Sequence, residues 1–184
     1  MTSEKEIVIK KWTGQSGIRQ QYPMTAQFPD PCNADIVRDL CIGKICEVGC
    51  GVGRIAKFLP FESYIGVDIN KDAIELAKVA NPGYSFETIG YDDEYPEADT
   101  YLFYTVLLHV PDELLGSVIA RCKNRVVVFE SMSFELRRKG SEFQRDPEQH
   151  EKEFAKFGFK KTHILNLISN ASPYFINWMV FDHE

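Results

Sequence analysis

Residues 44–53, Lys-Ile-Cys-Glu-Val-Gly-Cys-Gly-Val-Gly, contain the pattern that decides the fold. The stretch from Lys44 to Val48 predicts a short buried strand, and the glycines at positions 49, 51 and 53 follow it directly. Glycine lets the backbone turn sharply after a strand and approach a bound ligand closely. This segment therefore predicts a strand, a ligand-binding turn and a helix over 52–59.

The same alternation of strands and helices continues through the middle of the chain. It predicts strands over 64–68, 84–88, 100–105 and 125–129, and helices over 71–80 and 111–121. Asn70 is the predicted N-cap of the helix over 71–80, and Asn81-Pro-Gly83 ends that helix. Apolar strands linked by helices are typical of right-handed β-α-β units. We therefore predict an α/β fold with a doubly wound, mostly parallel sheet and helices on both faces.

Both ends of the chain depart from this alternation. Residues 1–35 combine aromatic side chains with three prolines and show no clear period, which predicts an irregular N-terminal arm. The arm either folds over a site as a lid or anchors to the body, which is residues 36–184. A short helix ending near Gly158 precedes apolar stretches over 162–168 and 174–181, and their short connection predicts an antiparallel hairpin that closes the sheet.

Composition excludes several classes of protein. A chain of 184 residues with 44% hydrophobic and 26% charged residues fits one ordinary folded domain. The net charge of -6 argues against binding nucleic acid over a broad surface. No apolar run approaches the length that spans a bilayer, and the first residues do not resemble a secretion signal, so we expect a cytoplasmic protein. The five cysteines include no C-x-x-C pair, which predicts free thiols and no metal site.

Two acidic residues at predicted strand ends indicate the chemistry of the ligand. A dinucleotide-binding fingerprint would require a small residue where this chain has Arg54. Glu47 would repel a pyrophosphate, but its carboxylate could accept a hydrogen bond from an ammonium group, directly or through water. Asp68 is placed to accept both hydroxyls of a ribose. These residues predict a ligand with a ribose and a cationic amino-acid tail but no phosphate.

S-adenosylmethionine is such a ligand, and over about residues 40–181 the chain resembles the class I S-adenosylmethionine-dependent methyltransferases. Residues 47–53 resemble the family's glycine-rich first motif, and residues 66–70, Gly-Val-Asp-Ile-Asn, resemble its ribose-binding strand end. Residues 98–113 are similar to its fourth-strand motif. The resemblance implies a seven-stranded sheet whose last strand is antiparallel. It also implies S-adenosylmethionine as the cofactor and S-adenosylhomocysteine as the product.

The resemblance also implies roles for single residues. The methionine part of the cofactor would face Glu47, Gly49 and Gly51, while Gly53 supports the turn, Asp68 binds the ribose and Ile69 packs against the adenine. Cys50 lies within this predicted cofactor site, where we interpret it as a small space-filling residue.

An acidic loop and a tyrosine complete the predicted cofactor site. Among Asp92, Asp93 and Glu94 we favour Asp92 as the residue that contacts the adenine amino group, and the alternative is a solvated acidic loop. Tyr104, at the end of the fourth predicted strand, is a candidate pocket wall, with core packing as the competing role.

His109 is the candidate catalytic residue. It follows the fourth predicted strand at its carboxyl end, where ligands bind in open α/β sheets, and histidine is the commonest general base. It would take a proton from a hydroxyl or protonated amine acceptor. The alternative is that His109 packs against or caps the next helix. His150 could also reach the pocket, although a surface position is the more common interpretation.

These observations predict an enzyme that methylates oxygen or nitrogen of a small molecule. The predicted body contains no long insertion, which favours a small acceptor over nucleic acid, and a protein side chain stays open as the acceptor. The alternative function is a non-catalytic S-adenosylmethionine-binding or interaction domain with the same fold. A nucleotide-dependent oxidoreductase is disfavoured by Glu47 and Arg54.

Overall fold

The computed structural model describes residues 4–13, 31–132, 143, 145–168 and 175–184. The five helices are α1 (Glu4–Thr13), α2 (Pro31–Leu40), α3 (Lys71–Ala80), α4 (Asp112–Ile119) and α5 (Pro147–Ala155) among these residues. The seven strands there are β1 (Ile45–Val48), β2 (Tyr64–Asp68), β3 (Ser85–Thr88), β4 (Thr100–Tyr104), β5 (Arg125–Met132), β6 (Phe159–Ile168) and β7 (Phe175–His183). Short 3-10 helices cover Ala56–Phe58, Phe61–Ser63 and Leu107–His109.

The strands form a seven-stranded sheet in the order β3-β2-β1-β4-β5-β7-β6. Strand β2 pairs in parallel with both β1 and β3. Strand β7 pairs antiparallel with both β5 and β6. The predicted α/β fold, with a mostly parallel sheet and a C-terminal antiparallel hairpin, is therefore confirmed.

The chain divides into two units, residues 1–100 and residues 101–184. In the first unit, helix α3 packs through one face, on which Ala73, Ile74 and Ala77 are fully buried. Its predicted bounds are confirmed, and Asn70 is the N-cap, since its side-chain oxygen accepts a hydrogen bond from the Ala73 amide at 3.1 Å. This bond satisfies one of the amides that have no partner within the helix.

The predicted helix over 52–59 is wrong. Residues 51–55 form turns, and only Ala56–Phe58 is helical, as a single 3-10 turn. Gly53 has a φ of 73°, in the left-handed region, so a right-handed helix cannot include it. Because Pro60 follows closely and has an extended backbone, too few residues remain for an α-helix.

The predicted irregular arm over residues 1–35 is also wrong in part. Helix α1 lies within it, and helix α2 runs across its predicted end at residue 35. The Trp12 carbonyl accepts a hydrogen bond from the Asn70 side chain at 2.6 Å, which attaches the end of α1 to the start of α3. Tyr22 and Phe28 lie outside the described residues, and the role of the arm as a lid stays a prediction.

The second unit has its core where the C-terminal strands meet α5. Trp178, Phe154 and Phe181 are fully buried, and the last two rings stack with their centroids 4.1 Å apart. Strand β5 continues to Met132, beyond its predicted end at residue 129, because β7 pairs with it along its whole length. Strand β6 likewise begins at Phe159 rather than at residue 162.

Helix α4 begins at Asp112, with Pro111 as its N-cap, and ends at Ile119, slightly inside the predicted range over 111–121. Helix α5 begins with a reciprocal capping box, in which the side chains of Asp146 and Gln149 each accept a hydrogen bond from the other residue's backbone amide.

Across the described ranges, we find no helix with the length and apolar character needed to cross a membrane.

The Asn70 side chain joins two helices, which predicts a measurable loss on its removal. Asn70→Ala should lower the free energy of unfolding by about 0.5–2 kcal/mol, the usual range for loss of an N-cap. Asn70→Ser is the matched control, because its hydroxyl can cap α3 but is too short to reach the Trp12 carbonyl. Urea denaturation measures both variants. A wild-type stability for Asn70→Ala would contradict the capping role, and equal losses in both variants would assign the effect to the contact with α1.

Candidate functional site

The glycine-rich segment after β1 folds as a tight turn against the end of β2. The amides of Gly49 and Cys50 both donate hydrogen bonds to the Val67 carbonyl, at 2.8 and 3.0 Å. Gly49 and Gly51 have φ values of 73° and 55°, a conformation that side chains with a Cβ rarely adopt. The glycines are therefore required by the path of the backbone, as the sequence predicted for a sharp turn at this position.

Asp68 connects this turn to the end of β2. Its Oδ2 accepts a hydrogen bond from the Gly51 amide at 2.8 Å, and its Oδ1 accepts one from the Asn70 amide at 2.8 Å. Burial raises the pKa of Asp68, while hydrogen bonds from the amides of Asn70, Gly51 and Ile69 oppose that rise. Each carboxylate oxygen has two lone pairs, so both can accept a further bond from a ligand hydroxyl.

Glu47 is a buried carboxyl group at the end of β1. The Tyr64 hydroxyl donates a hydrogen bond to its Oε2. Burial raises the pKa of Glu47 to about 7, against the lowering effects of the Tyr64 hydrogen bond and the positive charge of Arg54. Sequence reasoning missed Tyr64, because only the parallel register of β1 and β2 brings it near Glu47.

The two carboxyl groups also affect each other. The negative charge of Asp68 raises the pKa of Glu47, which indicates that the side chains lie close together within the first unit. Two buried carboxyl groups favour a ligand that brings hydroxyl donors and a positive charge. A ribose with an ammonium-bearing tail has this donor set, whereas a pyrophosphate would add further negative charge.

The remaining predicted cofactor residues differ in their surroundings. Cys50 is buried and its thiol is free, in keeping with a space-filling role, and Ile69 is half-buried beside Asp68. Asp92 is exposed, and Asp93 accepts the Gly90 amide within its own turn. Contact of Asp92 with adenine stays a prediction.

Within the described part of the chain, no three His, Cys, Asp or Glu side chains are grouped so that they could hold a metal ion.

In the second unit, Tyr104 is buried at the end of β4. Its ring stacks on Phe129, with centroids 4.2 Å apart and an angle of 13° between the planes. Trp178 meets the same ring edge-on at 5.8 Å. These contacts show the core-packing role for the Tyr104 ring, and a contact with the cofactor stays a prediction.

His109 ends the 3-10 turn that follows β4, and two buried side chains hold this turn. Glu130 Oε1 accepts the amides of Val106 and Leu107 at 3.1 and 2.8 Å. The Arg145 guanidinium donates to the Leu107 and Val110 carbonyls at 2.9 and 2.7 Å. The amides of the turn thus bind a buried carboxyl group and its carbonyls bind a buried guanidinium group, which fixes the backbone that carries His109.

The backbone just before this turn is strained. Thr105 has a φ of 59°, an unfavourable conformation for a β-branched residue that costs on the order of 1–3 kcal/mol. Its amide donates to the Phe129 carbonyl at 2.8 Å, and the amide of the next residue binds Glu130. Strain of this kind persists where the surroundings hold it, and it is commonly found at functional sites.

Glu130 and Arg145 were missed by sequence reasoning. Burial raises the pKa of Glu130 to about 8, although backbone amides and Arg145 lower it. Arg145 is only 6% exposed and also forms an ion pair with Asp112 at 2.6 Å. Neither residue stands in a motif, and Arg145 lies in a charged stretch that is more often exposed to solvent.

The interpretation of His150 as a surface residue is wrong. It lies in α5 with only 1% of its surface exposed. Burial lowers its pKa to about 3, and the positive charge of Arg145 adds to that effect. The apolar positions of α5 bury one face of the helix, and His150 shares that face with Phe154. His150 therefore stays neutral near pH 7.

Comparison with known proteins found one matching family model and a set of solved structures with a similar fold. A family model described as "Methyltransferase domain" matches residues 46–126, which include the glycine turn, Asp68 and His109. A comparison with curated proteins found no match. The solved structures that match are similar in fold at low sequence identity.

Three of these structures illustrate the similarity. Magnesium protoporphyrin IX methyltransferase from Synechocystis PCC 6803, with bound S-adenosylmethionine, has 16% identity and a TM-score of 0.70 over 100% of this chain and 99% of that chain. Human N-acetylserotonin methyltransferase, also with S-adenosylmethionine, has 17% identity and a TM-score of 0.73 over 99% and 60%. A TehB-like methyltransferase from Corynebacterium glutamicum has 16% identity and a TM-score of 0.65 over 90% and 95%. At this identity the likeness concerns the fold.

The contacts of Arg145 predict that a lysine cannot replace it. Arg145→Lys should lower the free energy of unfolding by about 1.5–3 kcal/mol, because an ammonium group lacks the planar fork that binds three carbonyls and a carboxylate together. Arg38→Lys is the matched control: Arg38 also binds a backbone carbonyl and an aspartate, but its side chain is 54% exposed. Thermal and urea denaturation measure both. Equal, small effects would show that the Arg145 contacts contribute little.

Proposed function

Because the chain carries a class I, S-adenosylmethionine-dependent methyltransferase domain, we propose that it methylates an oxygen or nitrogen atom of a small molecule. S-adenosylhomocysteine is then the second product. The cofactor would bind at the ends of β1 and β2, and His109 would act as the general base for the acceptor.

The observation that carries this proposal is the pair of buried carboxyl groups beside the glycine turn. Asp68 accepts two backbone amides at 2.8 Å and keeps lone pairs for the ribose hydroxyls. Glu47, which is also buried, would accept a hydrogen bond from the amino group of the methionine part. Since both groups are desolvated, a ligand that brings a positive charge and hydroxyl donors would restore the interactions that each carboxylate has lost with water.

The cofactor, when bound, supplies a methyl group on a positively charged sulfur, which takes the bonding electron pair as the methyl group is transferred in line. Alignment contributes most of the rate in such a displacement. His109 would take the proton that a hydroxyl acceptor loses as its oxygen bonds to the methyl carbon. Glu130 and Arg145 would hold the backbone of the His109 turn, so that the imidazole keeps one position relative to the acceptor.

The proposed class of acceptor has two supports besides the sequence. Two of the similar structures are methyltransferases named for small molecules, magnesium protoporphyrin IX and N-acetylserotonin. The net charge of -6 disfavours a polyanionic acceptor such as RNA or DNA.

Ligand binding tests the proposed cofactor site. S-adenosylhomocysteine and S-adenosylmethionine should raise the melting temperature, whereas NAD should not, because a ligand that binds only the native state stabilises it. At a ligand concentration of 100 times the dissociation constant, binding should raise the free energy of unfolding by about 2.7 kcal/mol. Stabilisation by NAD, with no response to either sulfur compound, would contradict the proposal.

Removing the charge of Asp68 should weaken that binding. Asp68→Asn should cost about 1.5–3 kcal/mol of binding free energy for S-adenosylhomocysteine, the range for hydrogen bonds to a charged acceptor. Asn keeps an oxygen for one of the two backbone amides, whereas Ala would leave both amides without this partner. Asp72→Asn is the control, because Asp72 is an exposed carboxylate in the first turn of α3. Calorimetric titration of both variants measures the effect, and an unchanged dissociation constant for Asp68→Asn would exclude its role.

His109 is tested by turnover and stability together. With an acceptor found by S-adenosylhomocysteine release from a panel of hydroxyl and amine compounds, His109→Ala should lower the single-turnover rate about 10²–10⁴-fold and leave cofactor affinity unchanged. His163→Ala, an exposed histidine on β6, is the control.

A packing role for His109 predicts the opposite pattern, with a lower melting temperature and a rate close to that of the wild type. Such a pattern would reject His109 as the base. An acceptor already deprotonated at neutral pH, such as a thiolate, needs no base, so the comparison is made on a hydroxyl acceptor. If no compound releases S-adenosylhomocysteine although the protein binds it, the non-catalytic alternative is favoured.

A further inference from the structure

Tyr64 lies at the start of β2, and its hydroxyl group reaches the carboxyl group at the end of β1. The strands pair in parallel with Ile45 beside Tyr64 and Glu47 beside Gly66. Side chains alternate along a strand, so Tyr64 and Gly66 share one face with Glu47. The Tyr64 hydroxyl passes Gly66 and donates a hydrogen bond to Glu47 Oε2.

Gly66 provides the space for this contact. A Cβ at this position would lie 2.7 Å from the Tyr64 hydroxyl oxygen, 2.8 Å from a ring carbon of Phe86 and 2.9 Å from the Cys50 sulfur. All three distances are shorter than contacts that real Cβ atoms make. A side chain at residue 66 would therefore displace the hydroxyl from Glu47.

The Tyr64 ring is fixed by aromatic neighbours. Phe86 and Tyr84 meet it edge to face, with centroids 5.8 and 5.6 Å away and angles of 70° and 82°. Tyr64 itself is only 3% exposed. These contacts hold the ring in the orientation in which its hydroxyl group meets the carboxyl group of Glu47.

The charged and titratable groups around Glu47 divide into opposing sets. Burial and the negative charge of Asp68 favour the protonated form of Glu47, while Tyr64 and the positive charge of Arg54 favour the ionised form. Together they raise the pKa of Glu47 to about 7, so small changes in its surroundings alter its charge near neutral pH.

The other titratable neighbours stay neutral. Burial raises the pKa of Cys46 to about 12 and the pKa of Cys50 well above its ordinary value. The pKa of Tyr64 is also raised by burial and by Glu47, so its hydroxyl keeps the proton that it donates. Tyr64 is therefore a permanent donor to Glu47 across the pH range in which Glu47 changes charge.

We propose that Tyr64 is a positioning residue whose hydroxyl favours the ionised form of Glu47, the form that best accepts a hydrogen bond from the cofactor's ammonium group. This inference rests on the proposed function, since it assigns Glu47 to the methionine part of S-adenosylmethionine. Tyr64 acts through Glu47 and does not itself contact the ligand. Its hydroxyl makes cofactor affinity less sensitive to pH between 6 and 8, because it stabilises the carboxylate against protonation.

Calorimetric titration of S-adenosylhomocysteine between pH 6 and 9 tests this role in wild type, Tyr64→Phe and Tyr84→Phe. One hydrogen bond to a charged acceptor corresponds to about one pH unit, so the midpoint of the affinity change should rise by about that amount in Tyr64→Phe. The variant should then bind roughly tenfold more weakly than wild type at pH 6 and about equally at pH 9. Titration of the ligand's own amino group cancels in this ratio.

Two controls isolate the path through Glu47. Tyr84→Phe removes a hydroxyl of the same aromatic cluster that donates to the Leu59 carbonyl, and its affinity ratio to wild type should be close to one at every pH. The second control is 5′-methylthioadenosine, which contains the adenosine part without the amino-acid tail. Its affinity for Tyr64→Phe should equal that for wild type at every pH.

Each other outcome has a separate meaning. An unchanged midpoint in Tyr64→Phe, or a loss of the same factor at every pH, overturns the role of Tyr64 while the proposed function stands. A pH-dependent loss that also affects 5′-methylthioadenosine overturns it as well, because the effect then does not pass through the amino group. If wild type binds no S-adenosylhomocysteine at any pH, the proposed function fails and this inference fails with it.

Discussion

The first unit depends on one buried carboxylate, Asp68, that binds backbone amides on both sides. The amide of Gly51 belongs to the turn after β1, and the amide of Asn70 precedes α3, so one side chain fixes both segments. A buried carboxylate without such donors would be protonated or unstable. The glycine turn and the N-cap of α3 are therefore consequences of the same constraint, and the ribose would bind to a group that is already held in place.

The second unit uses a similar interaction at a different strand end. Glu130 binds the amides of the turn after β4, and Arg145 binds the carbonyls of that turn. Together they hold the strained backbone at Thr105 and the turn that ends at His109. In each unit, a buried acidic side chain at or near the carboxyl end of a strand fixes a loop that the proposed reaction needs, and backbone donors offset the cost of burying it.

Local patterns in the sequence predicted the elements that local interactions determine. The bounds of β2 and α3 agree with the structure because alternation, an N-cap and a Pro-Gly stop specify them within a few residues. The helix after the glycine turn was predicted wrongly, since periodicity does not report the left-handed backbone of Gly53. Tyr64, Glu130 and Arg145 were missed because each meets its partners across 17 to 38 residues of chain, which only the strand register and the tertiary fold bring together.

We propose that Glu47 and Asp68 together bind the amino group and the ribose of the cofactor. A crystal structure of the protein with S-adenosylhomocysteine measures this directly. We predict that both ribose hydroxyls lie within hydrogen-bond distance of Asp68 and that the amino group meets Glu47, directly or through one water. The glycine turn should keep the contacts that it makes here. A ligand bound elsewhere, or one whose ribose and amino group both avoid these carboxylates, would contradict the account.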